Sequence, residues 1–107
     1  MAADKDFLIH VMDLLSPLGG ISSRAMFGGH GIYHEGDIFA LITDTGLHFK
    51  VNETNLTAYQ EAGSKQFKPM PYYEVPGDVI EDTAALHEWA KISISVGHAT
   101  GKKKKKK

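Results

Sequence analysis

The sequence predicts an α+β fold, an antiparallel sheet with helices packed on it, from three observations. An apolar stripe at helical spacing opens the chain, short β-like runs separated by turn residues fill its middle, and a second helical face follows near its end. With 107 residues the chain has material for one core and one domain.

Phe7, Leu8, Val11, Leu14, Leu15 and Leu18 recur at intervals of three and four, which places them on one face of a helix with Asp4 available as its N-cap. Pro17 and Gly19-Gly20 end it. Three β-like runs follow, Arg24 to Tyr33, Ile38 to Thr43 and Leu47 to Val51, parted by "HEGD" and "TDTG" and read as a meander. "IFALI" is apolar on both faces, as a central strand is. In "LHFKV" the alternation sends Leu47, Phe49 and Val51 inward and His48 and Lys50 to a solvated face. "NETNLTAYQEAG" reads as a helix capped by Asn52 or Thr54, burying Leu56 and Tyr59 and stopped by Gly63. Pro69 and Pro71 mark a turn between a short strand near Lys65 to Lys68 and another, at a sheet edge, near Tyr72 to Val75. Asp82 caps the last helix, where Leu86, Trp89, Ala90 and Ser93 share a face, and "ISISV" is assigned to that helix although it alternates as a strand does. The resulting order is α-β(3)-α-β(2)-α.

The formal charge of −1 conceals two opposed parts. Six of the twelve basic residues are Lys102, Lys103, Lys104, Lys105, Lys106 and Lys107, so residues 1–101 hold six basic against thirteen acidic groups, a net −7. An acidic body repels a phosphate backbone, so nucleic acid is not expected on residues 1–101. Residues 102–107 are expected to be a disordered, solvated tail, and weak, salt-sensitive nucleic-acid binding through it is an alternative function. The absence of cysteine excludes disulfides, thiolate zinc sites and thiol nucleophiles. The opening segment is interrupted by Asp6, His10 and Asp13 and is neither a signal-peptide core nor a membrane span, so a cytoplasmic protein with no membrane partner is expected.

The richest chemistry lies in "RAMFGGHGIYHEGD". On a helix His30 and His34 would meet, but on a strand four steps separate them by ~13 Å, and His48 is the histidine a neighbouring strand can bring near. No metal site and no cofactor are expected. "GGHG" lacks the patterns of phosphate-binding loops, and its glycines suit a bulge or a close approach to a strand. Ser22 and Ser23 have no recognisable base, and Asp37, Glu53, Glu74, Glu81 and Asp82 are scattered, so no enzyme is expected. The aromatics Phe27, Tyr33, Tyr72 and Tyr73 flank this chemistry, and Arg24, the one arginine, suits an ion pair or an anionic partner. A small-ligand or metal site near His30 and Tyr33 is a further alternative.

Taken together, "RAMFGGHGIYHEGDIFALI", "LHFKVNETN", Tyr59, "YYEVP" and "LHEWA" closely resemble the TfoX (Sxy) N-terminal domain family, from about Phe7 to Ala90, and the chain is identified as a single-domain member. The resemblance implies the same α-β(3)-α-β(2)-α fold. It also implies a role like that of bacterial competence regulators, non-enzymatic co-activators that work with the cyclic-AMP receptor protein in DNA transformation. The signature it carries over is Arg24, Met26, Phe27, Gly28, Gly29, Gly31, Tyr33, Tyr73, Val75 and Pro76, candidates for an interaction surface or for the fold itself. The expected function is a small regulatory module acting through protein contacts, with the transcription machinery among the expected partners. A sheet edge open to pairing makes a homodimer a further expectation.

Overall fold

The computed structural model describes residues 5–26, 29–44, 46–67 and 70–105, the last five as backbone only. Helix α1 (Lys5–Leu15) runs into a 3₁₀ turn at Ser16–Leu18, where Pro17 sits in the first turn, and strand β1 (Ile21–Met26) follows. Strands β2 (Gly29–His34), β3 (Asp37–Thr43) and β4 (Gly46–Lys50), helix α2 (Leu56–Glu61), strand β5 (Tyr72–Glu74) and helices α3 (Gly77–Glu81) and α4 (Thr83–Lys105) complete the order. All strand pairs are antiparallel, in the order β1-β2-β3-β4-β5, which makes the apolar β3 central as its sequence predicts.

The expected single strand from Arg24 to Tyr33 is instead a hairpin, with Arg24 opposite Gly31 and Met26 opposite Gly29. Four strands therefore precede α2, not three. Beyond α2, the strand expected near Lys65 to Lys68 reduces among the described residues to one bridge, Gln66 to Tyr73. The α3 turn was not anticipated either. Its five residues are too few to show a helical period. Asp4, Phe27, Gly28, Lys68, Pro69, Lys106 and Lys107, for which the sequence sets expectations, lie outside the described residues. Over 102–105, expected to be disordered, the backbone continues α4.

The main core lies between one sheet face and the helices. Ile32, Ala40, Ile42, Leu47 and Phe49 from the sheet meet Val11 and Leu15 of α1, Tyr59 of α2, Val79 of α3 and Leu86 and Ala90 of α4. Burying a side chain such as Leu15 or Leu86 stabilises the fold by about 1.5–3 kcal/mol before ordering costs. Helix α4 approaches β3 closely at Gly97, where a Cβ would come 2.5 Å from the Ile38 carbonyl oxygen. Asp82 caps α4 as expected, its Oδ1 accepting from Ala85 N–H at 3.2 Å. Gly63 follows α2 at φ +73°, the left-handed stop its sequence announces. The Asn52 side chain instead closes a local turn on Thr54 N–H, and α2 begins without a side-chain cap. A polar latch joins three elements: Ser93 Oγ and Asn55 Nδ2 both donate to the Lys50 carbonyl, at 2.8 and 3.2 Å.

The other sheet face differs from expectation. His48 and Lys50, expected in solvent, are 2% and 8% exposed. The segment that returns from α2 to β5 covers them. Phe67 packs against His48 with the rings tilted and their centroids 5.4 Å apart, and Lys50 Nζ lies 5.7 Å over the Tyr72 ring. Leu41 is buried on this side too, paired between Gly31 and His48 and outside the main cluster. Alternation tells which residues share a face but not whether later chain covers it.

Candidate functional site

The signature residues fall into two structural groups. Gly29 and Gly31 are buried because neighbours occupy the space their side chains would need. A Cβ on Gly29 would overlap the Ile42 carbonyl oxygen, and one on Gly31 would meet Met26 Sδ, Ile38 Cδ1 and the Tyr33 ring. Tyr73 packs toward Tyr59 at 6.0 Å, Val75 is buried, and the Pro76 carbonyl accepts from Val79 and Ile80 to start α3. These positions build the sheet and its covering. Arg24 is different, since it stands exposed on β1 with its guanidinium 5.7 Å from the Tyr33 ring centre. Structure thus joins Arg24, Met26, Gly31 and Tyr33 on one patch, separate from Tyr73 and Val75.

The two sheet edges are unequal. Along β5 the outward groups are occupied, Phe67 N–H donating to the Tyr72 carbonyl at 2.8 Å and Glu74 N–H to Lys65 O at 3.0 Å. Along β1 no strand lies beyond Ile21–Met26 among the described residues, and Ser22, Ser23, Arg24 and Ala25 are exposed in succession. A shallow surface groove borders this edge between Ser23 and the α1 residues Asp6, Ile9, Met12 and Asp13.

A second constellation sits at the β2–β3 tip. The turn Glu35-Gly36 has φ of 50° and 94°, positive at both central residues, as a tight hairpin demands. Just inside it the register shifts: Ile32 pairs with Ala40 but Tyr33 with Ile38, leaving Phe39 as an extra residue. That insertion keeps Phe39 in the core and turns Asp37 to the α4 side. There His98 Nδ1 meets Asp37 Oδ2 at 2.6 Å, and His98 Nε2 meets His34 Nδ1 at 2.8 Å. The two imidazoles stand edge to face, with centroids 5.0 Å apart. With Asp37 accepting the Nδ1 proton, His98 presents its Nε2 lone pair and the His34 Nδ1–H donates to it, an assignment drawn from the hydrogen-bond network. Glu35 offers a carboxylate beside the pair: one donor atom from each of His34, Glu35 and His98 lies within 4.8 Å of the others.

Neither His30 nor His48, the histidines that strand spacing sets beside His34, occupies this cluster. His48 lies in the covered face, its Nδ1–H donating to Gly46 O at 3.1 Å, and burial lowers its pKa against the opposing pull of that carbonyl and of Glu74. His98 was not singled out because only the path of α4 across β3 brings residues 34 and 98 together. The sequence offers one weak signal, a histidine next to Gly97, a small residue in an otherwise apolar helix stretch that marks a close approach.

Residues 13–96, most of the chain from late α1 to within α4, match the family described as the TfoX N-terminal domain. The chain belongs to the TfoX N-terminal domain family. Within the matched span of this TfoX N-terminal domain lie the β1–β2 patch, the covered β5 edge, His34, Glu35 and Asp37, whereas His98 lies beyond it. The chain is also similar to the "DNA transformation protein TfoX1" of Aliivibrio fischeri, with 32% identity over 56 residues. That alignment covers 52% of this chain and 27% of the relative, so the chain spans about a quarter of that protein's length. Among the described residues no helix is long and apolar enough to cross a membrane.

Proposed function

We infer that this domain is a non-enzymatic regulatory module that acts by protein contact, receiving a strand of a partner along β1. The observation that carries this reading is the unguarded β1 edge. The strand has neither proline nor lysine, and among the described residues no segment covers it, these being the devices by which natural sheets block edge pairing, whereas the β5 edge is covered. Main-chain hydrogen bonds along β1 would supply affinity, and Arg24 over Tyr33, flanked by the exposed Ser22 and Ser23, would supply selectivity for a strand with an acidic or polar face. The setting, regulation connected with DNA transformation, is supported by the family and by the name of the Aliivibrio relative.

The test places a photo-crosslinking amino acid at Ser23 and, separately, at Gln60 on the exposed side of α2, in the chain expressed in its native cell. A defined polypeptide crosslinked from position 23 and not from 60, and lost on Ala25→Pro in a variant with native circular dichroism, is the expected result. Equal yields from both positions, or none from position 23, overturn the edge reading. A crosslink only to a second copy of the chain redirects it to self-pairing.

A further inference from the structure

We propose that His34, Glu35 and His98 form a binding site for one divalent transition ion, with Zn²⁺ the best fit and Asp37 holding the His98 ring in place. This cluster lies at the β2–β3 tip, apart from the exposed β1 edge.

The donor set selects the class of ion. Two imidazole nitrogens and one carboxylate suit zinc and its neighbours, whereas magnesium and calcium take oxygen ligands. Donors bound at 2.0–2.2 Å around a tetrahedral ion stand roughly 3.4 Å apart. The 2.8 Å between His34 Nδ1 and His98 Nε2 is near that separation and asks the rings to part by roughly half an ångström. Glu35 is exposed and reaches in by side-chain rotation from within 4.8 Å.

The surroundings are arranged around the same point. Asp37 accepts the His98 Nδ1 proton, the carboxylate–histidine arrangement that fixes the tautomer and raises the basicity of a ligating nitrogen. His98 therefore already aims a lone pair at the site. His34 needs only a change of tautomer, its proton moving from Nδ1 to Nε2 while Nδ1 takes the metal. Gly20, at φ +69°, borders the other side: a Cβ there would come 2.9 Å from Glu35 Cγ and 3.4 Å from His34 Nε2, so the glycine leaves room for both side chains. Glu35 itself occupies a left-handed position at φ 50°, which asparagine and glycine favour in such turns and glutamate does not. Three protein donors leave the fourth position to water or to a donor from a partner. Ion binding would fasten the hairpin tip to α4.

The experiment uses the full chain without an affinity tag, stripped with chelator and titrated with Zn²⁺ by calorimetry and with Co²⁺ by visible absorption. The expected result is one ion per chain with micromolar or tighter affinity and a tetrahedral cobalt spectrum, while Mg²⁺ produces no heat. His34→Gln and His98→Gln each weaken binding by roughly 100-fold or more, Asp37→Asn by roughly 10–100-fold, and His10→Gln, on exposed α1, leaves it unchanged. Side-chain ¹⁵N shifts of the unsubstituted chain provide a readout free of folding effects: Zn²⁺ moves the His34 and His98 nitrogens and spares those of His48. The proposal is overturned by binding weaker than about millimolar, by affinity indifferent to both histidine substitutions, or by zinc shifts at other histidines.

Discussion

The two edges of the sheet meet the same physical problem and solve it differently. At β5, three residues long, the returning chain pairs through Lys65 and Phe67, lays an aromatic ring over His48 and completes a second buried layer around Leu41 and Tyr72. At β1, twice that length, four residues in a row are exposed, and among the described residues the strand is bordered by the groove to α1. The difference teaches that edge exposure in this fold is position-specific. One edge is integrated into the core, and the other is exposed over Ser22 to Ala25.

The largest effect that sharpens this comparison is expected on the covered side. Tyr72→Ala removes a ring that is 3% exposed and lies under Lys50, and should cost about 3 kcal/mol in urea unfolding. A cost under ~1 kcal/mol would show that the second layer is not part of the core. The same layer predicts a pH dependence at both ends. Burial holds the His48 pKa below its ordinary 6.5, so the unfolded chain binds the proton more readily; this stability is present above pH 6.5 and is lost as pH falls through that range. Burial, with a smaller contribution from Tyr33, pushes the Tyr72 hydroxyl up to about 12, so stability also declines as pH rises above 10, where the unfolded chain ionises first. Stability curves of His48→Gln should lose the acid slope and keep the alkaline one; an unchanged acid slope would assign it to other groups. The smallest effect belongs to the open edge. Arg24→Ala breaks one exposed cation–π contact and should cost less than ~1 kcal/mol by the same unfolding measurement, so a multi-kcal/mol loss there would erase the contrast between the edges.

Local features of the fold were legible because local rules decide them. The stripe of α1, the Asp82 cap, the Gly63 stop and the helical assignment of "ISISV" all rest on neighbours within a few residues. The hairpin inside Arg24 to Tyr33 was missed because apolar residues and glycine continue between Met26 and Gly29, with no polar turn signal to interrupt a β-like run. His48 and Lys50 were placed in solvent because alternation cannot foresee that residues near 67 and 72 return over them. At the candidate ion site, spacing separates His30 from His34 correctly, since both lie on β2, but is silent about a partner 64 positions away. Tyr59 poses a different case: among the described residues its buried hydroxyl lacks a geometrically good hydrogen-bond partner, and burial raises its pKa more than the neighbouring Ser93 lowers it.

The extra residue in β3 has a consequence for how this molecule can vary. Below it, Ala40 and Ile42 point at the helices; above it, Asp37 does, because one inserted position shifts the phase of the alternation. The strand is thus divided into two compartments that share a backbone but not a packing rule. Substitutions at the tip can exchange one polar chemistry for another while the apolar layer beneath keeps its shape, and deleting Phe39 alone would leave a regular ladder with Asp37 still on the helix face, at the cost of one buried ring.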